Sequence, residues 1–248
     1  PFSAGISDRD PRFSNRERRH LRHRFSWILV VVLAGTLDVL AQSGRETSEE
    51  ATRVRTAAEI FGDIMAAEDH QIPANILAKA DGIAVFPNTI RAGFVVGGVR
   101  GRGVLSVHGD KGWSSPAFLT LTGGSFGLQI GGQAADLILV IVNRRGLENL
   151  VNNQFKIGAD AAAAAGPVGR DAQASTDIQL RAEILSYSRA RGLFAGVTVN
   201  GSTLRQDADA NGRFYGTKFT TKQILFEGKG GAPAPVGELR GALNRYAK

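Results

Sequence analysis

From residue 92 to residue 143 one short apolar segment follows another, and glycines lie inside the segments as well as between them. "AGFVVGGV", "GVLSVHG", "AFLTLT", "GSFGLQIGG" and "DLILVIVN" read as strands by their length, their β-branched residues and the turn residues around them. The first two are separated by "RGR", and "GDKGW" at 109–113 turns the chain towards the third. Connections this short join antiparallel neighbours. Glycine within a strand marks a bulge, a bend or the close approach of another backbone. Repeated over several strands, it predicts a strongly curved, barrel-like, mostly antiparallel sheet. A nucleotide loop does not fit the same glycines. The pattern G-x-x-x-x-G-K-[ST] is absent, and Gly103 is followed by the strand "VLSVHG" where a dinucleotide fingerprint requires a helix.

Helices flank this run. Thr47, Ser48, Glu49 and Glu50 form a capping-box pattern. Ala51, Val54, Ala58, Phe61 and Met65 then recur at three and four residues, with Ala57 and Ile64 widening the stripe. That predicts an amphipathic helix of about twenty residues, which packs on its own domain or lies on a membrane surface. "QIPANILAKA" reads as a short helix with Pro73 in its first turn, "DGIAVFP" as a strand, and "RGLENLVNN" as a short helix. "FKIGADAAAAAGPVGRD" allows strand or helix, and its glycines favour a narrow strand. Two strands turning near Arg191-Gly192 follow, then a helix over "NGRFYGTKFTTKQIL" and a terminal helix over "VGELRGALNRYA". Helix, many strands, helix is an α+β order, a curved sheet packed with several helices.

The first 41 residues read differently. Residues 1–15 are polar, residues 16–24 are "RERRHLRHR", and the apolar run "FSWILVVVLAGTL" is closed by Asp38. This is the layout of a secretory signal cleaved after Ala41. The run is shorter than the roughly 20 residues that span a bilayer. The expectation is an exported protein, periplasmic or secreted, with an uncleaved inner-membrane anchor as the alternative and 42–248 as a single domain. The whole chain carries a net charge of +7. Residues 42–248 keep 23 basic and 19 acidic residues, a net charge of +4. Much of the basic excess is therefore targeting sequence, which argues against a nucleic-acid partner.

Residues that carry chemistry are scarce. With no cysteine, disulfides, thiol catalysis and cysteine–zinc sites are excluded. His70 and His108 stand alone without ligand spacing, so no metal or cofactor is expected. Ser114 and Ser115 fit a turn, and no paired carboxylates suggest acid–base work. The chain does not read as an enzyme. Basic residues cluster in the expected loops: Arg91; Arg100 and Arg102; Arg144 and Arg145; Arg189 and Arg191; Lys218 and Lys222. They form either a solvated surface or a patch facing phosphate, each worth about 1 kcal/mol near an anionic membrane.

The segments "IPANILAKADGIAVFP", "AGFVVGG", "GRGVLSV", "GWSSPAFLTLTGGSFGLQIGGQAADLILVIVN", "AGPVGRD", "EILSYSRARGLFAGVTVNGS" and "NGRFYG" together resemble the SYLF domain. It is also called the actin-binding domain of a yeast actin-regulator family. The resemblance covers about 55–247 in the expected order. It implies a compact non-enzymatic domain that binds anionic phospholipid or phosphoinositide headgroups, whose bacterial members are typically exported envelope proteins. The alternative reading is a protein-interaction scaffold of the envelope, an actin-regulator-like binding module with the sheet face or the first helix as its contact and other envelope proteins as partners. Actin, a cytosolic protein, is out of reach of an exported chain. Relatives often carry lysine just after "FP" and again before "AGF". Here those positions hold Asn88 and Arg91, so only the second keeps its charge. Headgroup binding is expected at Arg91, Arg100, Arg102, Arg189 and Arg191, with Lys79 as an outlying candidate.

Overall fold

The computed structural model describes residues 49–247 apart from 68–70, 94–95, 127–132, 153, 170–180 and 232, and side chains apart also from 91–97, 124–133 and 152. The expected leader and signal over 1–41, the expected cap at Thr47 and Ser48, and His70 lie outside the described residues. Six helices and ten strands are described, in an α+β arrangement. Helix α1 covers residues 49–66. The helix α2 (Ala74–Leu77) leads into β1 (Gly82–Gly93), β2 (Val96–Gly109), β3 (Gly112–Trp113), β4 (Ala117–Phe126) and β5 (Gln133–Ile141). Then come α3 (Arg144–Asn152), β6 (Phe155–Lys156), β7 (Ala163–Ala165), β8 (Ile184–Ala190), β9 (Leu193–Gly196) and β10 (Thr203–Gln206). The chain closes with α4 (Ala208–Tyr215), α5 (Thr221–Leu225) and α6 (Ala234–Tyr246).

The strands form one strongly curled sheet, a half-barrel, in the order β6-β10-β4-β2-β1-β5-β8-β7. β3 pairs with β2 and β9 with β8. Only the β7–β8 pair is parallel among these; the others are antiparallel. The curvature has a visible cause. A Cβ added to Gly103 would lie 2.4 Å from both the Phe86 ring and the Val85 carbonyl of β1. Only hydrogen fits there, so β1 folds closely over β2.

Both faces of the sheet are covered. Ile83, Val85, Val104, Phe118, Ile138, Val140 and Tyr187 pack with α1, α2 and α6. Ala84, Phe86, Leu105, Leu119, Leu121, Leu137 and Leu139 pack with α3 and α5 on the other side. A central strand buried on both sides need not alternate, which accounts for the unbroken "LILVI" of β5. The expected apolar stripe of α1 is buried in its own domain: Val54, Ala57, Phe61, Ile64 and Met65 all belong to the first core. Lifting α1 away would expose those side chains and the sheet beneath, at about 1.5–3 kcal/mol for each large one. Insertion into lipid would recover the helix half alone, so of the two readings of α1 the structure bears out packing on its own domain.

Four expectations need correction. "AGFVVGGV" is not one strand, since Ala92 and Gly93 end β1 and Val96 starts β2. "RGR" is not a connection; β2 runs straight through Arg100, Gly101 and Arg102. "AFLTLT" and the start of "GSFGLQIGG" are one strand, β4, which pairs with β2 from Leu105↔Ala117 to Val96↔Phe126. The helix expected over "NGRFYGTKFTTKQIL" breaks into α4 and α5, because Gly216 ends α4 in the left-handed conformation at φ 67°. Thr220 and Gln223 then start α5 with a reciprocal capping box. The ambiguous alanine run does form a strand, β7.

Candidate anion-binding face

A bulge in β1 organises this face. Val85 pairs with Val104 and Ile90 with Arg100, so β1 carries one residue more than β2 over that stretch. The same surplus is seen against β5, between Phe86↔Leu137 and Thr89↔Ala135. It falls at Pro87-Asn88. Proline has no N–H to give a ladder, and asparagine tolerates the left-handed φ of 48° found at Asn88. The Asn88 N–H donates to Asp136 Oδ1 at 3.1 Å, which fixes the bulge to β5. An inserted residue moves every later side chain of the strand to the opposite face. Thr89 therefore turns inward and is buried, while Ile90 turns to the α1 side and is 55% exposed.

The register sets the arginines in two rows across this end of the sheet. The inner row holds Arg102 on β2, the bulge on β1, Asp136 on β5 and Arg189 on β8. The outer row holds Arg100, its partner Ile90, Ala134, and then the β8–β9 turn with Arg191. From β2 to β8 is three strand spacings, about 14 Å. Leu193, at the tip of that turn, is 78% exposed. Ile90 and Leu193 are the exposed large hydrophobic side chains among the described residues.

Helix α1 neutralises the inner row. Arg189 donates to Asp136 at 3.1 Å and to Asp63 of α1 at 3.0 Å. Burial opposes its charge, but the hydrogen bonds to Asp63 and Asp136 and the attraction of both carboxylates outweigh this and raise its pKa. Arg102 donates to Glu49 of α1 at 3.1 Å. In the outer row, Arg100 and Arg191 have no ion-pair partner among the described residues.

A groove of about 540 Å³ lies between the start of α1 and the bulge. Glu49, Thr52, Arg53, Ile90, Arg100 and Arg102 are among its walls. Arg53 is 8% exposed and its guanidinium lies 5.5 Å from the centre of the Phe118 ring. Its Nη2 donates to Glu49 Oε1 at 2.8 Å, and its buried Nη1 has no hydrogen-bond partner. A smaller depression of about 380 Å³ lies on the other side of the bulge and is lined by Asn88, Asp136, Arg189 and Arg191.

The expected site residues thus divide. Arg100, Arg102, Arg189 and Arg191 come together at one end of the sheet. They lie in strands and a hairpin turn, not in loops as a group. Arg91 is in β1 opposite Val99, and its side chain lies outside the described residues. Lys79 follows α2 at the opposite end, about 25 Å away along β1. Ser114 and Ser115 hold turns, as expected: Ser114 Oγ accepts from the Val107 N–H and Ser115 Oγ donates to the Gly231 carbonyl. Sequence reasoning missed Arg53, Glu49, Asp136 and Ile90. A signal for Arg53 was present, since it stands four residues after Glu49 and beside Val54, at the edge of the apolar stripe.

A family model described as "Ysc84: Las17-binding protein actin regulator" matches residues 122–246, half of the chain. The chain belongs to this family. Within the Ysc84 family it is 33% identical over 182 residues to the SH3 domain-containing YSC84-like protein 1 of Rattus norvegicus, covering 73% of this chain and 53% of the relative. The human protein of the same name is 31% identical over the same length. LAS seventeen-binding protein 3 of Saccharomyces cerevisiae is 32% identical over 171 residues, covering 67% of this chain and 36% of the relative. The chain spans about half the length of the first of these curated relatives. The family description speaks of a regulator and of binding, as the yeast protein's name speaks of binding, and none of these names describes an enzyme.

Proposed function

We propose that this chain is an exported, non-enzymatic membrane-adhesion domain of the bacterial envelope, which holds anionic phospholipid through the outer row of its arginine face. The observation that carries this reading is the coincidence of unpaired cations and exposed apolar side chains at one end of the sheet. Arg100 and Arg191 flank Ile90 on the α1 face, and Leu193, paired with Ala190, stands at the same end of the sheet on its other face. Two free arginines contribute about 1 kcal/mol each near an anionic surface. Partial insertion of two aliphatic side chains adds a similar amount. The expected adhesion is weak, steep in anionic lipid and sensitive to salt.

Co-sedimentation of the full chain with vesicles tests this. Binding is expected to rise with the phosphatidylglycerol fraction and to collapse near 1 M salt, where the screening length falls to about 3 Å. Arg100→Ala with Arg191→Ala should weaken it about 30-fold. Ile90→Ser with Leu193→Ser should weaken it without changing the salt dependence. Equal binding to neutral vesicles, or none to any, would sink the reading. Export is checked by N-terminal processing after Ala41 in a fractionated cell. A second reading, a protein-binding module, draws on the family's description as Las17-binding. It gains if the arginine variants leave vesicle binding intact.

A further inference from the structure

The groove beside α1 contains an anion already: the chain's own Glu49. Its Oε1 accepts from Arg53 at 2.8 Å and from Arg102 at 3.1 Å, so one carboxylate oxygen bridges two guanidinium groups. The Arg53 fork is half used, with Nη1 buried and without a partner. An Arg fork reaches its full strength when both nitrogens meet oxygens of one ligand. Arg100 adds a third cation to the same walls. With Glu49 displaced, Arg53, Arg100 and Arg102 leave three positive charges on the walls. A phosphomonoester carries about −1.5 to −2 at neutral pH and has three terminal oxygens, which suits this set. A diester carries one charge and has two free oxygens.

We infer that the groove is a phosphomonoester site in which Glu49 is a built-in competing anion, displaced when the ligand takes the Arg53 fork and Arg102. This rests on the anion-binding reading of the same face and adds to it a buried contact and a gate. The gate moves by side-chain rotation. Glu50, the next residue, is fully buried and paired with Arg213 of α4 at 2.9 Å, which holds the start of α1. Glu49 itself is more than half exposed and has water to swing into.

The test uses the full chain and soluble sn-glycerol 3-phosphate, titrated calorimetrically at 0.15 M salt. Glu49→Gln should bind about tenfold tighter than wild type, an effect within the usual range for coupled sites. A gain of affinity cannot come from misfolding. Glu59→Gln is the charge control: it lies on the same helix about 15 Å further on, beyond the screening length of about 8 Å, and should match wild type. Arg53→Lys should weaken binding about tenfold, because an ammonium keeps the charge and loses the fork. Glycerophosphoglycerol, a diester, should bind at least tenfold more weakly than the monoester. If Glu49→Gln binds no more tightly than Glu59→Gln, or if glycerol 3-phosphate does not bind at all, the inference falls. Vesicle binding then decides separately whether the membrane reading stands. Tight, Glu49-gated binding of glycerol 3-phosphate without vesicle binding would leave the inference standing, with a free phosphate ester as ligand, and would remove the membrane.

Discussion

At Gly103 a single hydrogen determines how far the sheet can curl. A methyl group there would meet the Phe86 ring, which could turn, and the Val85 carbonyl, which is backbone of the neighbouring strand and could not. Gly103→Ala should therefore cost about 1–3 kcal/mol, the usual range for overpacking a tight core. In a domain of this size that lowers the melting temperature by about 2–12 °C. Gly98 offers the contrast on the same strand, since nothing lies within 4 Å of a Cβ added there. A thermal melt in which Gly98→Ala loses as much as Gly103→Ala would show that close approach is not the reason for glycine at 103. The run of glycines announced curvature from sequence alone, but not which of them the curvature needs. That depends on which residue of β1 lies over which glycine, and one extra residue at Pro87-Asn88 decides it.

The same extra residue limits what could be read at the scale of elements. The strand-rich run, the Arg191-Gly192 turn, the terminal helix and the first helix were legible, because periodicity and turn residues are local; where one strand ends and the next begins was not, and β10 was missed. "RGR" misled because two arginines beside a glycine look like a connection, yet β2 is long enough to carry charges at its outer end. The grouping of Arg100, Arg102, Arg189 and Arg191 rests on a succession of strand pairings, β2 with β1, β1 with β5 and β5 with β8, the last joining Asp136 to Arg189. Local pattern has no access to those, nor to the fact that α1 lies across the arginine rows. That crossing separates two roles that composition cannot distinguish. Arg189 joins α1 to β5 through Asp63 and Asp136, and Asp136 is largely buried. Arg189→Met would leave Asp136 without its cation and release one end of α1. The expected loss is about 2 kcal/mol, below the 3–5 kcal/mol of a fully buried pair because Arg189 is a quarter exposed. Arg191→Met should leave the stability within about 0.5 kcal/mol of wild type. Thermal melts of the two variants check this. The reverse order would mean that the turn, and not the tether, holds the helix.

Across the whole molecule the two cores keep shape and surface chemistry apart. Among the described residues the apolar stripe of α1 is packed against the sheet, and Arg100, Arg102, Arg189 and Arg191 are gathered at one end of it. Such a scaffold should resist change until its cores open, and two phenols report on that. Tyr187 is fully buried, stacks on Phe194 at 5.5 Å and has no partner for its hydroxyl; Tyr215 donates to the Pro116 carbonyl. Burial raises the pKa of both, with Arg240 pulling that of Tyr215 slightly back. In the unfolded chain both ionise near pH 10. Because their folded pKa values are raised, their contribution to stability is complete below pH 10 and is lost as pH rises above it. Each removes up to about 1.4 kcal/mol per pH unit there. Melting temperatures should thus change little on account of these groups between pH 7 and 9 and fall steeply above pH 10. Phenolate absorbance from Tyr187 and Tyr215 should appear together with unfolding. Tyr187→Phe should roughly halve their combined alkaline slope at little cost near neutral pH, since the lost hydroxyl had no partner to leave behind. Ionisation of Tyr187 near pH 10 in a chain that remains folded would show that the α1 side of the sheet admits water. The arginine face would then belong to a mobile layer, not to the rigid edge of a packed one.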